Sequence, residues 1–183
     1  MNASEKEKIH PDVQAVMDHY QFDRLPVEGT LFKNTYRSSQ KLVDGEPAGT
    51  AIIGMYSNTP LSFSCFHKLR SDEVWHVYGG DPFILVLLHD DGTTEEILMG
   101  NRPEDGQRVQ FVVPANTWQA GYLLDGGRYA LYGCTMAPGF CGRNFLAGTA
   151  EELVGLYPEQ EEIIRKLSVN GHKTTMPEGF EDD

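Results

Sequence analysis

The spacing of apolar positions along the chain changes character twice. Near the start, Val13, Val16 and Met17 follow Pro11 at the i, i+3, i+4 spacing of one helical face, so a short helix is expected to open at the proline. After a turn at residues 26–29 the pattern shifts to short runs. Residues 30–37, 50–56, 62–69 and 73–78 are rich in aromatic and β-branched side chains and read as strands. Residues 83–89 are almost wholly apolar. Asp90-Asp91-Gly92 then supplies the positive φ of a tight hairpin before residues 94–99 return. Residues 109–113, 118–124 and 128–136 continue the pattern, interrupted by Pro114-Ala115-Asn116 and Asp125-Gly126-Gly127. Eight or nine strands at this spacing predict a sandwich or a barrel.

Helical spacing returns at the end. Thr149 with Glu152 three residues on is a capping box, in which each side chain satisfies a free N–H at a helix start. Leu153, Leu156 and Tyr157 form one stripe and Ile163, Ile164 and Leu167 another, with Pro158 placed to begin the second helix. Residues 168–183 are polar with no periodic apolar pattern and read as a flexible tail, as do residues 1–12 as a flexible start. One domain over residues 13–167 remains.

Composition narrows the possibilities. The chain has 183 residues, enough for a sizeable core, and shows no internal repeat. A formal charge of −12 opposes a nucleic-acid partner, because such binding draws on Lys and Arg neutralising phosphates. No apolar run approaches the roughly 20 residues that span a bilayer, and MNASEKEKIH is too polar for a signal peptide, so a cytoplasmic protein with no membrane association is expected. Cys65, Cys134 and Cys141 contain no CxxC pair, which argues against a disulfide framework or structural zinc. Cys65 and Cys134 read as buried thiols.

Candidate chemistry concentrates in residues 61–82, LSFSCFHKLRSDEVWHVYGGDP. Two histidines, an Asp-Glu pair and a tryptophan stand in short apolar runs, where polar groups are costly to bury unless paired or used. From spacing alone, His67 is more readily a satisfied core histidine than a functional one.

His67, Leu69, Glu73 and Gly80 stand at the spacing H-x-L-x3-E-x6-G, which resembles the first motif of the cupin superfamily with Leu69 in place of a second histidine. Residues 114–119 resemble the second motif, P-x-G-x2-H, with Gln119 in place of its histidine. Pro26-Val27-Glu28-Gly29, Thr35-Tyr36-Arg37-Ser38, Ser71-Asp72-Glu73-Val74-Trp75-His76, Val113-Pro114-Ala115, Trp118-Gln119 and the stretch from Cys134 to Phe140 are similar to a small single-domain cupin family of bacteria and yeast. Thr30 departs from that family's P-x-E-G-G pattern.

The resemblance implies an all-β double-stranded β-helix, the cupin jelly-roll barrel, with short terminal α-helices, and a homodimer formed through the N-terminal strands. It places Phe63, Cys65, His67 and Leu69 on an inner face opposite Glu73, Trp75 and Val77, and leaves His76 pointing outward unless a bulge re-aims it. His67 and Glu73 would then be catalytic, surrounded by Arg37, Trp75, His76, Trp118, Gln119 and Cys134 as ligand contacts. Each has a plainer reading: Trp75 and Trp118 as core or wall, Arg37 as a bridge across a dimer. His67, Glu73 and Gln119 are also the candidate ligands of a divalent metal, although two usual ligands are replaced and Gln119 is a weak neutral donor. Three functions stay open: epimerase- or isomerase-like proton transfer on a small sugar-like or carbonyl metabolite, non-catalytic binding of a small molecule, and metal-dependent catalysis.

Overall fold

The computed structural model describes residues 8–169, 171 and 173–180; the expected flexible segments fall partly outside them, at residues 1–7, 170, 172 and 181–183. Helix α1 (Pro11–Tyr20) precedes strands β1 (Asp23–Arg24), β2 (Leu31–Arg37), β3 (Thr50–Asn58), β4 (Leu61–Ser62), β5 (Ser64–Leu69) and β6 (Glu73–Gly80). Then come β7 (Phe83–Leu88), β8 (Thr94–Met99), β9 (Gln110–Val113), β10 (Trp118–Leu123), β11 (Tyr129–Met136) and β12 (Phe145–Ala147), followed by α2 (Ala150–Leu156) and α3 (Glu161–Leu167).

The strands form two antiparallel sheets. One has the order β1-β2-β3-β11-β6-β9, with β4 on the end of β3; the other has the order β12-β5-β10-β7-β8. Among the described residues no strand of one sheet pairs with a strand of the other, so the expected closed jelly-roll barrel is not formed. The fold is a mixed α/β sandwich of two open sheets rather than an all-β barrel. A layer of large side chains, including Tyr56, Trp75, Phe83 and Tyr132, fills the space between the sheets and keeps their backbones too far apart to hydrogen-bond.

The helices are part of the core. Leu153, Tyr157, Ile164 and Leu167 of the C-terminal segment pack with Ile84, Val86 and Leu88 of β7, while Phe83, Leu85 and Leu87 face the other sheet. That two-sided burial explains why β7 reads FILVLL with no alternation. Thr149 caps α2 by accepting from the Glu152 backbone N–H, as the capping box predicts, and Pro158 opens the turn leading into α3. Helix α1 lies on the outer side of the seven-stranded sheet, with Val13 against Leu31 and Met55. Past Leu167 the chain still lends Val169 and Met176 to a third apolar cluster, at the end of the sandwich where a cavity opens. Among the described residues no helix is long and apolar enough to cross a membrane.

Candidate functional site

The cavity has a volume of about 250 Å³ and opens between the sheets. Leu25, Phe32, Ile52, Leu69, Met136, Phe140, Phe145 and Phe180 give it apolar walls; His67, Glu73, Glu28 and Cys134 lie at its depth, and Asn34 to Arg37 at its exposed rim. A narrower recess continues inward to Thr30, Trp75 and Tyr132.

Three strands and one turn bring the polar groups together. His67 of β5 pairs across the ladder with Gln119 of β10, and Glu73 opens β6 on the facing sheet. Glu28 comes from the turn before β2, where Val27 and Gly29 both have positive φ, 67° and 87°. For a β-branched residue that conformation is strained by about 1–3 kcal/mol, and here it turns the neighbouring carboxylate inward. His67, Glu28, Glu73 and Gln119 are 3, 7, 7 and 1 % exposed.

A bulge decides what His67 faces. Gln119 pairs with His67, but Gly121 pairs with Ser64, so two residues of β5 stand against one of β10. The break in alternation lets Ser64 and His67, three positions apart, both reach Glu28. This corrects the even alternation expected from Phe63 to Leu69: Phe63 and Cys65 line a separate surface groove with Val27 and Val169. Gly121 serves the same arrangement, since a Cβ there would stand 2.3 Å from the Tyr56 hydroxyl.

The hydrogen bonds can be followed atom by atom. The Thr30 and Ser64 hydroxyls each donate to Glu28 Oε1 at 2.6 Å, and the Tyr56 hydroxyl lies 2.7 Å from Ser64 Oγ. With the Ser64 proton given to Glu28, Tyr56 donates to Ser64. Thr30, the departure from the family pattern, thus acts as a clamp on the carboxylate. His67 Nδ1 lies 2.8 Å from the Cys65 carbonyl. A carbonyl can only accept, so Nδ1 carries a proton; in the neutral form of the ring Nε2 is then the bare nitrogen, 4.0 Å from Glu28 Oε2. Phe145 stacks on the ring at 5.3 Å and fixes its plane.

On the facing sheet, Trp75 Nε1 donates to Gln119 Oε1 at 2.9 Å, and Gln119 Nε2 donates to Glu73 Oε2 at 2.8 Å. Burial pushes the Glu73 carboxyl above the usual range; His67 opposes this, Glu28 adds to it, and hydrogen bonds from Gln119 and Cys134 oppose it. Burial, followed by the charges of Glu73 and Glu28, holds the Cys134 thiol well above its ordinary range. The depth of the cavity therefore combines an imidazole with Nδ1 committed and Nε2 facing the cavity lining, a carboxyl that favours its proton, and a second carboxylate with one oxygen clamped.

The sequence profile described as Cupin superfamily (DUF985) matches residues 14–147. The chain belongs to the cupin superfamily. A hypothetical protein from Leishmania major is 28% identical, with a TM-score of 0.76 over 86% of this cupin and 98% of that chain. A Shewanella oneidensis protein is 23% identical, with a TM-score of 0.78 over the same shares, 86% and 98%. A cupin 2 domain-containing protein from Halorhodospira halophila, 11% identical, shares the fold with a TM-score of 0.51 over 79% of this chain and 86% of its own. No curated protein matches the sequence.

Of the residues expected at this cupin's site, His67, Glu73, Arg37 and Cys134 line the cavity, Trp75 lines the inner recess, and Gln119 lies behind Glu73. Two others lie elsewhere. His76 bonds Thr135 Oγ1 at 2.9 Å, accepts from Gln110 Nε2 at 3.2 Å and stacks on Tyr78, away from the cavity. Trp118 is buried in the cluster shared with α2 and α3, with Lys68 Nζ 4.5 Å above its ring. Glu28, Ser64 and Thr30 went unassigned in the sequence. Glu28 stood in the Pro26-Val27-Glu28-Gly29 match and Thr30 at its departure, but neither carried a role there, and Ser64 gave no signal.

The donor set does not fit a cupin metal. Both ends of the Gln119 amide are engaged, its oxygen by Trp75 and its nitrogen by Glu73, so it offers no free donor beside His67 and Glu73. Among the described residues no group of three or more His, Cys, Asp or Glu side chains is placed to hold a metal ion.

Proposed function

We propose that this cupin binds a small carbonyl metabolite in the cavity and transfers a proton at the carbon beside the carbonyl, the elementary step of an isomerase or epimerase. The observation that supports this most is the bond of His67 Nδ1 to the Cys65 carbonyl, which leaves Nε2 of the buried ring as the nitrogen that can take a proton when the ring is neutral. Glu73 complements it. A carboxyl whose proton is favoured by burial can give that proton to the carbonyl oxygen as His67 removes one from carbon. The C–H electron pair moves into a C=C bond, the C=O pair moves to oxygen, and the proton from Glu73 closes the enol. With a ligand in place, the apolar walls close around it and displace water that would compete for either proton during the step.

The test is deuterium wash-in. Hydroxyacetone and methoxyacetone, two ketones with acidic methylene protons, are incubated with the protein in D2O and followed by proton NMR. Loss of the methylene signal faster than in buffer is expected, and His67→Asn slows it by about 10²–10⁴-fold. Exchange at the buffer rate with both ketones, or exchange untouched in His67→Asn, removes the assignment.

A further inference from the structure

Glu28 Oε1 receives the Thr30 and Ser64 hydroxyls, whereas Oε2 receives no hydrogen bond from the described residues and looks across 4.0 Å at His67 Nε2. With Nδ1 bearing the proton of the neutral imidazole, the form that can act as a base, both facing atoms are acceptors. Two acceptors at that separation, on the lining of one cavity, call for a ligand with hydrogens on adjacent atoms. An H–C–O–H unit meets the requirement. Its O–H reaches a carboxylate oxygen at about 2.7 Å while its C–H lies about 3–3.5 Å from the imidazole nitrogen.

We propose that the cavity selects α-hydroxycarbonyl compounds, with the hydroxyl on Glu28 Oε2, and that Glu28 handles the proton of that hydroxyl. This rests on the proton-transfer reading above and narrows it from carbonyl compounds in general. His67 takes the proton from the hydroxyl-bearing carbon, and Glu73 gives one to the carbonyl oxygen, leaving an enediol. Glu28 then accepts the hydroxyl proton. The O–H electron pair becomes the new C=O bond, the C=C pair takes the proton back from His67 at the neighbouring carbon, and the carbonyl has moved by one carbon. His67 ends as it began; one proton has passed from Glu73 to Glu28 and returns through water in the cavity between turnovers. No oxidant or reductant is required.

The hydroxyl clamps make Glu28 suited to this role. A carboxylate whose far oxygen is held by two donors keeps its near oxygen fixed in direction, and the bond between Tyr56 and Ser64 holds the Ser64 clamp in place.

Hydroxyacetone and methoxyacetone separate this inference from its parent, because they differ in whether the oxygen beside the methylene carries a hydrogen. Wild-type protein is expected to exchange the hydroxyacetone methylene at least about tenfold faster than that of methoxyacetone, each relative to its buffer rate, as losing a hydrogen bond to a charged acceptor implies. In Glu28→Gln the amide oxygen stays with Thr30 and Ser64 and the amide nitrogen turns toward His67, so the ratio is expected to fall to about one. A role confined to stability would slow both ketones alike and leave the ratio in place. Equal exchange of the two ketones by wild type, or an unchanged ratio in Glu28→Gln, overturns the role of Glu28 while leaving proton transfer intact. Exchange of neither ketone overturns both. The wild-type ratio decides the matter even if Glu28→Gln does not fold.

Discussion

Glu28 Oε2 and His67 Nε2 face each other at 4.0 Å, although one belongs to a turn before the first long strand and the other to β5 of the opposite sheet. The Cys65 carbonyl fixes the proton on Nδ1 and so sets what this contact can be: two acceptors, rather than a hydrogen bond, while the ring is neutral. Nitrogen-15 correlation spectra of the neutral imidazole are expected to show His67 as the Nδ1–H tautomer in wild type and in Glu28→Gln. A neutral His67 carrying its proton on Nε2 would contradict the assigned base.

Glu73 has a consequence for stability. Burial raises its carboxyl pKa above the unfolded value near 4.5, so the folded state holds this proton more tightly than the unfolded chain. Its favourable contribution is complete below the unfolded pKa and is lost as pH rises through the folded one. Thermal melts of wild type against Glu73→Gln, measured upward from pH 4, are expected to show the wild type losing ground to the variant as pH rises across that window. A Gln variant that gains nothing on the wild type between pH 4 and pH 8 would contradict this. Gln at this position can still accept from Gln119 Nε2, so the comparison isolates the charge.

Gln119 links the site to the inner aromatic layer. Replacing Trp75 by Phe keeps most of the ring but removes the N–H that holds Gln119 Oε1 at 2.9 Å. A buried acceptor without its donor costs about 1–3 kcal/mol, and the freed amide can rotate away from Glu73. Metal binding should respond more to position 119 itself. Added Zn²⁺ or Mn²⁺ is expected to leave the wild-type melting temperature unchanged and to raise that of Gln119→His, which restores an imidazole across the ladder from His67. Stabilisation of the wild type by either ion would show that the Gln119 bonds do not close the site to metals.

Several elements were legible because one local signal controlled each. Thr149 and Glu152 marked a helix start, Asp90-Asp91-Gly92 marked a hairpin, and the apolar run at residues 83–89 marked its first strand, whose burial on both faces came with the structure. Whether the sheets close depends instead on which distant edges meet, and hydrophobic period carries no information about that. The site was half legible. His67 and Glu73 stood at motif spacing, whereas Glu28 sits in an aperiodic turn and is brought to His67 by positive φ at Val27 and by a bulge in β5. Both features violate the regular alternation on which strand reading depends. Trp118 was an expected contact only through the family resemblance; its plainer reading as core is the one the structure shows, and with its strand covered on both faces alternation could not say which face held the cavity.

Trp118 therefore provides the control that separates packing from chemistry. It lies with Leu153, Ile164 and Leu167 on the helix side of its sheet, under the Lys68 ammonium, while its neighbour Gln119 points into the sandwich. Truncation to Ala removes a buried ring and leaves a void between β10 and the C-terminal helices, at a cost of about 3–5 kcal/mol. At about 2–4 °C per kcal/mol for a chain of this size, the loss is plain in a thermal melt. The folded fraction keeps His67, Glu73 and Glu28 in place, because none of their hydrogen bonds involves Trp118. Well below the melting temperature, deuterium exchange per folded molecule is expected to match wild type within about twofold, and the ratio between the two ketones to be unchanged. A selective fall in that ratio with the fold intact would return Trp118 to the ligand-contacting residues and require the cavity to extend through the sheet.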